Sequence, residues 1–301
     1  MKIAASLACL AIALVMLGSC ANRPGGRPGA ALPARPVGDI PVPFACGDRA
    51  PAPARDGLAA AMVRIAAAEW TRWGRREVEI QPGRSLLLLP STAATVWEHE
   101  REAFPMLAEY WCATPPHRNY WEIAAISAGF AEVRAADGAI EQEALDRLPV
   151  GRSPFAEPWS AAFVSWVVYG AGVPESRFRY SDTHWDYVAD SANAGRAFRI
   201  AGIDEAAPRA GDLVCATRSA PPARHWRQLV AEGSRPMHCD IVVGRAGCSF
   251  SPSGQCIEAI GGNVLQGVTL SRIAVDARGR VMPGGWAPGR DWIAVLVNQG
   301  G

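Results

Sequence analysis

Residues 158–170 read Pro-Trp-Ser-Ala-Ala-Phe-Val-Ser-Trp-Val-Val-Tyr-Gly, which sets one hydroxyl, Ser160, in the first turn of a nearly all-apolar helix. From Ala161 to Tyr169 only Ser165 is polar, so this helix belongs inside the domain, and Gly170, Gly172 and Pro174 end it. A buried helix start holds unpaired N–H groups and a positive dipole end in a protected place, which suits a nucleophile or an oxyanion. A serine hydroxyl is a weak nucleophile at neutral pH and needs a hydrogen-bonded base. Five histidines are available, His99, His117, His184, His225 and His238. Only His238 opens a strand pattern, where the period of two gives Asp240 and Val242 the same face. Ser160 reads equally well as a nucleophile and as an ordinary serine at a helix start.

His184 lies in an aromatic stretch, Phe178-Arg-Tyr-Ser-Asp-Thr-His-Trp-Asp-Tyr187, just after that helix. His184, Trp185 and Tyr187, with Trp159 beside the serine, are candidates to line a cleft and hold a sugar or peptide by stacking and hydrogen bonding. Core packing is the other reading of each aromatic. Cys112 near His117 lacks a helix start and reads as a disulfide cysteine, and Ser249 falls short of a nucleophile elbow. The chain holds no phosphate-binding glycine loop, Cys-x-x-Cys pair or zinc-helix motif, so no cofactor or metal is expected.

Leu58, Met62, Ile65, Ala66, Trp70 and Trp73 recur at helical spacing over residues 57–74. Residues 93–111 and 121–134 also read as helices, and 136–153 as a short helix followed by a loop. Strand patterns are expected only after residue 210, at 212–216, 240–244, 255–260, 264–273 and 291–297. Helices followed by strands predict an α+β domain with helices packed on one face of an antiparallel sheet.

The first nineteen residues carry Lys2, an apolar stretch and Leu17-Gly18-Ser19 ahead of Cys20, which looks like a bacterial lipobox. Cys20 is the expected lipidation site, and Ala21 after it resembles lipoproteins passed to the outer membrane. That predicts a periplasm-facing outer-membrane lipoprotein with signal peptide 1–19. Eight prolines within residues 24–53 make 20–54 an extended tether, leaving one domain over 55–301. The mature chain is near neutral, with 29 basic and 29 acidic residues, and has no basic stripe for nucleic acid. Apart from Cys20, the mature chain has six cysteines, Cys46, Cys112, Cys215, Cys239, Cys248 and Cys256, which in an oxidising compartment imply disulfides, and Cys248 with Cys256 bracket a turn that they could close.

The Ser160 segment resembles the nucleophile helix of papain-like CHAP amidases and NlpC-type cell-wall peptidases, with Ser160 at the cysteine position. Pro208-Arg-Ala-Gly-Asp-Leu-Val214, His238-Cys-Asp-Ile-Val-Val243 and Gly261-Gly-Asn-Val264 resemble the later motifs of that fold, in order. From Ala68-Glu-Trp-Thr-Arg-Trp-Gly74 through Trp121, Ser160 and His184 the chain is similar to domain of unknown function family 2272, over roughly residues 55–297. The resemblance implies a papain-like fold with a helical part over 55–150 and the nucleophile helix and sheet over 151–301. It implies His238 as base, with Asn263 orienting it, Glu258 as substitute and Asp240 after both. It also makes Cys215 and Cys239 neighbours on adjacent strands, which leaves Cys46 with Cys112. The expected activity is cleavage of peptidoglycan peptide or amide bonds, and the alternative is an inactive domain that binds wall peptide or a partner protein.

Overall fold

The computed structural model describes residues 56–81, 87–88, 95–98, 103–114, 158–218, 223–285 and 290–300. In chain order these form α1 (Leu58–Arg72), β1 (Arg76–Ile80), β2 (Leu87–Leu88), α2 (Ala103–Trp111), α3 (Ser160–Gly170) and α4 (His184–Asp190). There follow β3 (Phe198–Gly202), β4 (Leu213–Thr217), α5 (Trp226–Glu232), β5 (Met237–Gly247), β6 (Gln255–Gly261), β7 (Thr269–Ala274) and β8 (Trp292–Asn298).

The strands form one sheet in the order β2-β1-β7-β6-β5-β4-β8-β3. The α+β class holds, but the sheet is mixed: β1 runs parallel to β7 with Val78 opposite Ser271, while the other neighbours are antiparallel. Strands also begin well before residue 210. In β1 the apolar Val78 and Ile80 are buried and Glu77 and Glu79 half-buried, the alternation of a strand with one covered face. Of the expected helix over 93–111, the described residues form α2 at its C-terminal end. Residues 95–98 are instead held by other elements, Val96 N–H donating to the Trp73 carbonyl at 3.2 Å and Glu98 N–H to that of Gln266 at 2.9 Å. The helices expected over 121–134 and within 136–153 lie outside the described residues.

α3 is buried nearly all round, as its composition demands, and packs against α1, α2 and β5. It stops where Gly172 adopts φ 80°, a left-handed conformation that favours glycine, and donates to the Tyr169 carbonyl. Alternate residues of β4 enter different hydrophobic clusters. Leu213 and Cys215 join the large core made with the helices, and Val214 and Ala216 join a smaller one with Ile257, Ile273, Val281 and Trp292. The sheet is therefore buried on both faces at β4.

Two disulfides tie the β4–β5–β6 region. Cys215 and Cys239 are register partners and are bonded, and Cys248 and Cys256 close the β5–β6 turn. Cys112 is also disulfide-bonded, and its expected partner, Cys46, lies outside the described residues, as does Cys20.

Candidate functional site

Ser160 is the first residue of α3 and does not cap it, for the helix has no side-chain cap and Trp159 occupies the cap position. Its Oγ lies 2.7 Å from Nε2 of His184. The first intrahelical bond runs from Phe163 N–H to the Trp159 carbonyl, so the N–H groups of residues 160–162 precede the helix ladder. His184 opens α4, and its Nδ1 is hydrogen-bonded to the hydroxyl of Tyr187, three residues on and on the same helix face. The result is a chain of three side chains, hydroxyl to imidazole to phenol.

A second pair adjoins it. Nε2 of His238, near the start of β5, lies 2.7 Å from Oδ1 of Asp240. The His184 and His238 rings are 5.2 Å apart, tilted at 60°. Ser160, His184, His238 and Asp240 are each at most 5% exposed, and Tyr187 is fully buried. Burial holds His184 well below the usual histidine range, with the neighbouring His238 and Arg218 acting in the same direction. It is therefore a neutral imidazole. Burial likewise raises Tyr187 well above the usual phenol range, with the Asp240 charge adding to it, so Tyr187 stays a neutral phenol.

The hydroxyl of Ser160 thus goes to His184, where His238 was expected. The acceptor at Nε2 of His238 is Asp240, where Asn263 or Glu258 was expected. Asn263 sits in a left-handed turn at φ 55°, half-buried. Glu258 lies 3.6 Å from Arg272, an ion pair across β6 and β7. His184, expected on a cleft wall, is instead at the centre of the cluster.

Trp159, expected at a cleft mouth, is 1% exposed. It stacks on Trp73 and Tyr110 with centroids 5.2 and 5.6 Å away, and its Nε1 donates to Glu98 at 2.8 Å. A Cβ on Gly262 would lie 2.6 Å from Cβ of Phe163 and 2.8 Å from a ring carbon of Trp159, so the turn after β6 presses on the start of α3. Trp159 is a packing residue that seats Ser160. Trp185 is half-buried against the core, with its Nε1 buried and unpartnered.

The tryptophan stack rests on a polar chain. Trp73 Nε1 donates to the Tyr110 hydroxyl at 2.8 Å, which donates to Glu69 at 2.5 Å. Burial pushes the Glu69 carboxyl above its usual range despite that bond and the nearby Arg72.

Tyr187 and Asp240 are the site residues whose roles the linear reading missed or ranked last. Each had a signal in its spacing from a histidine, three along a helix and two along a strand. Among the described residues no group of three or more histidine, cysteine or acidic side chains could hold a metal ion, and no helix is long and apolar enough to cross a membrane.

One family model matches, over residues 102–297, with the description "uncharacterized protein conserved in bacteria (DUF2272)". No curated protein and no solved structure matches the chain.

Proposed function

We infer, for a chain that belongs to the DUF2272 family of uncharacterized bacterial proteins, that the Ser160 centre cleaves amide bonds, with peptidoglycan stem peptides as the substrate class. The papain-like resemblance supplies that substrate class, and the lipobox at Cys20 supplies the place, the periplasmic face of the outer membrane. The observation that carries the chemistry is the 2.7 Å contact between Ser160 Oγ and Nε2 of His184 at the start of a buried helix.

In this reading Ser160 Oγ attacks the carbonyl carbon and its proton passes to Nε2 of His184. The neutral imidazole has the lone pair this needs when Nδ1–H points to Tyr187. N–H groups of the first turn of α3 stabilise the oxyanion. Collapse expels the amine, which takes the proton from His184. Water then attacks the acyl-serine with His184 again as base, releasing the acid and restoring Ser160.

One observation favours the second reading, a non-catalytic domain that binds wall peptide. A phenol behind His184 brings no negative charge to an imidazolium, unlike the carboxylate of a serine hydrolase.

Purified protein incubated with muropeptides and read by mass spectrometry separates the two. Hydrolysis that disappears in folded Ser160→Ala and His184→Ala supports the catalytic reading. Muropeptide binding without turnover favours the second.

A further inference from the structure

Glycine weakens a strand, so a glycine at a strand end beside a buried polar pair asks for a reason. Gly261 closes β6, and its φ is not in the left-handed region, so the backbone does not require glycine. Space does. A Cβ on Gly261 would lie 1.8 Å from Oδ1 of Asp240, 2.8 Å from its Cγ and 3.0 Å from Cγ2 of Val264. The volume that any side chain at 261 would take is occupied by the carboxylate bonded to His238.

We propose that Asp240 is the positioning residue of this centre: seated in the space Gly261 leaves open, it holds the His238 ring, through Nε2–H, against His184. A carboxylate accepts but does not donate, so this bond fixes a proton of His238 on Nε2. The ring so fixed is the one that faces His184 at 5.2 Å. Cys239, between the two residues, is bonded to Cys215 on β4, which fixes the strand beneath the pair. The same carboxylate acts on Tyr187, whose phenol it helps keep protonated. Asp240 thus bears on both halves of the cluster, on His238 by a hydrogen bond and on Tyr187 by its charge, without needing to meet a substrate. Its effect on turnover rests on the amide-cleaving reading; its effect on the tautomer does not.

Nitrogen NMR of 15N-histidine-labelled full chain reads the tautomer, and muropeptide kinetics read the consequence. Wild type is expected to show His238 in the single Nε2–H form. Gly261→Ala, whose methyl displaces the carboxylate, and Asp240→Ala, which adds no bulk and guards against misfolding of the first, should each show mixed tautomers. His238 takes no proton in the reaction, so the loss is one of positioning, and in each variant kcat should fall roughly 10–100-fold with KM little changed. The exchange variant, Asp240→Ala with Gly261→Asp, returns a carboxylate to the same space and should recover the single tautomer and part of kcat. An unchanged tautomer in folded Asp240→Ala, or no recovery in the folded exchange variant, overturns the proposal. Tautomer changes as expected in a protein that never hydrolyses muropeptides uphold the positioning role and sink the amide-cleaving reading alone.

Discussion

Ser160 and His184 meet across the starts of two helices, α3 and α4, with Oγ and Nε2 2.7 Å apart. Each helix start brings its own polar residue to the junction, so the contact depends on how α4 is laid down after the Gly172 turn. Tyr187 holds the imidazole from the other side. The contact is buried, and its protonation state is set by burial more than by any single charge.

That burial has a signed pH dependence. The folded pKa of His184 is depressed, so between it and the ordinary histidine value of about 6.5 the unfolded chain binds more protons than the folded one. Stability should be full above about pH 6.5 and fall with pH down to the folded pKa. Thermal unfolding from pH 8 to pH 4 should show this loss, and His184→Gln, which cannot titrate, should flatten it. An equal slope in both proteins would place the pH dependence elsewhere.

Glu69 has the opposite sign. Its folded pKa is raised, so its contribution is fully present below the unfolded carboxyl value and is lost as pH rises through the folded pKa. Glu69→Gln keeps an acceptor for Tyr110 and should remove that loss. Tyr110→Phe strands the Trp73 N–H and leaves the Glu69 carboxyl with Arg72 alone, at a cost of about 1–3 kcal/mol. Chemical denaturation of the three proteins at pH 5 and pH 8 measures both effects, and a neutral Tyr110→Phe would show that the chain does not support the Trp159 stack.

Much of the fold is written locally. The apolar α3, the amphipathic α1 and the largely apolar runs of β4, β6 and β8 lie within a residue or two of where composition and period place them. β1 is less visible, because Arg76-Glu-Val-Glu-Ile80 is short and charged, and its partner β7 is far along the chain. The site divides in the same way. Ser160 and His238 stand out by position, whereas which histidine reaches the hydroxyl depends on the packing of α4 against β5. Asp240 replaces Asn263 for a reason that only three dimensions reveal: the carboxylate fits because residue 261 has no side chain.

Cys215–Cys239 crosslinks the two strands that hold His238 and Asp240 in register. Replacing both cysteines by alanine should lower stability by about 2–4 kcal/mol in denaturant unfolding. Muropeptide turnover, if present, should fall further than that loss of folded protein explains, because the His238 strand is loosened. Thiol counting on unfolded, unreduced mature protein should find close to none.

Cys20→Ala tests the membrane proposal. Anchoring needs several acyl chains, since one holds only weakly, so without the Cys20 thiol the protein should lose palmitate label and leave the outer-membrane fraction. Unchanged labelling and sedimentation would remove the lipoprotein reading while leaving the Ser160 centre untouched.

Ser160→Cys asks which nucleophile the site is built for. A thiol near a neutral imidazole ionises far more readily than a hydroxyl, and it needs less help from a base. The phenol behind His184 is suited to a modest base, so the variant has all the partners that a thiol requires. If the domain has lost catalysis through this one position, Ser160→Cys should gain muropeptide cleavage and react with iodoacetamide faster than an unfolded control. If serine is the working nucleophile, the variant should keep or lose activity, and His184→Ala should remove what either form retains, without adding to the loss of Ser160→Ala. A cysteine that stays unreactive, in a protein that cleaves nothing in either form, would leave the buried cluster as a structural element and the wall-peptide-binding reading in its place.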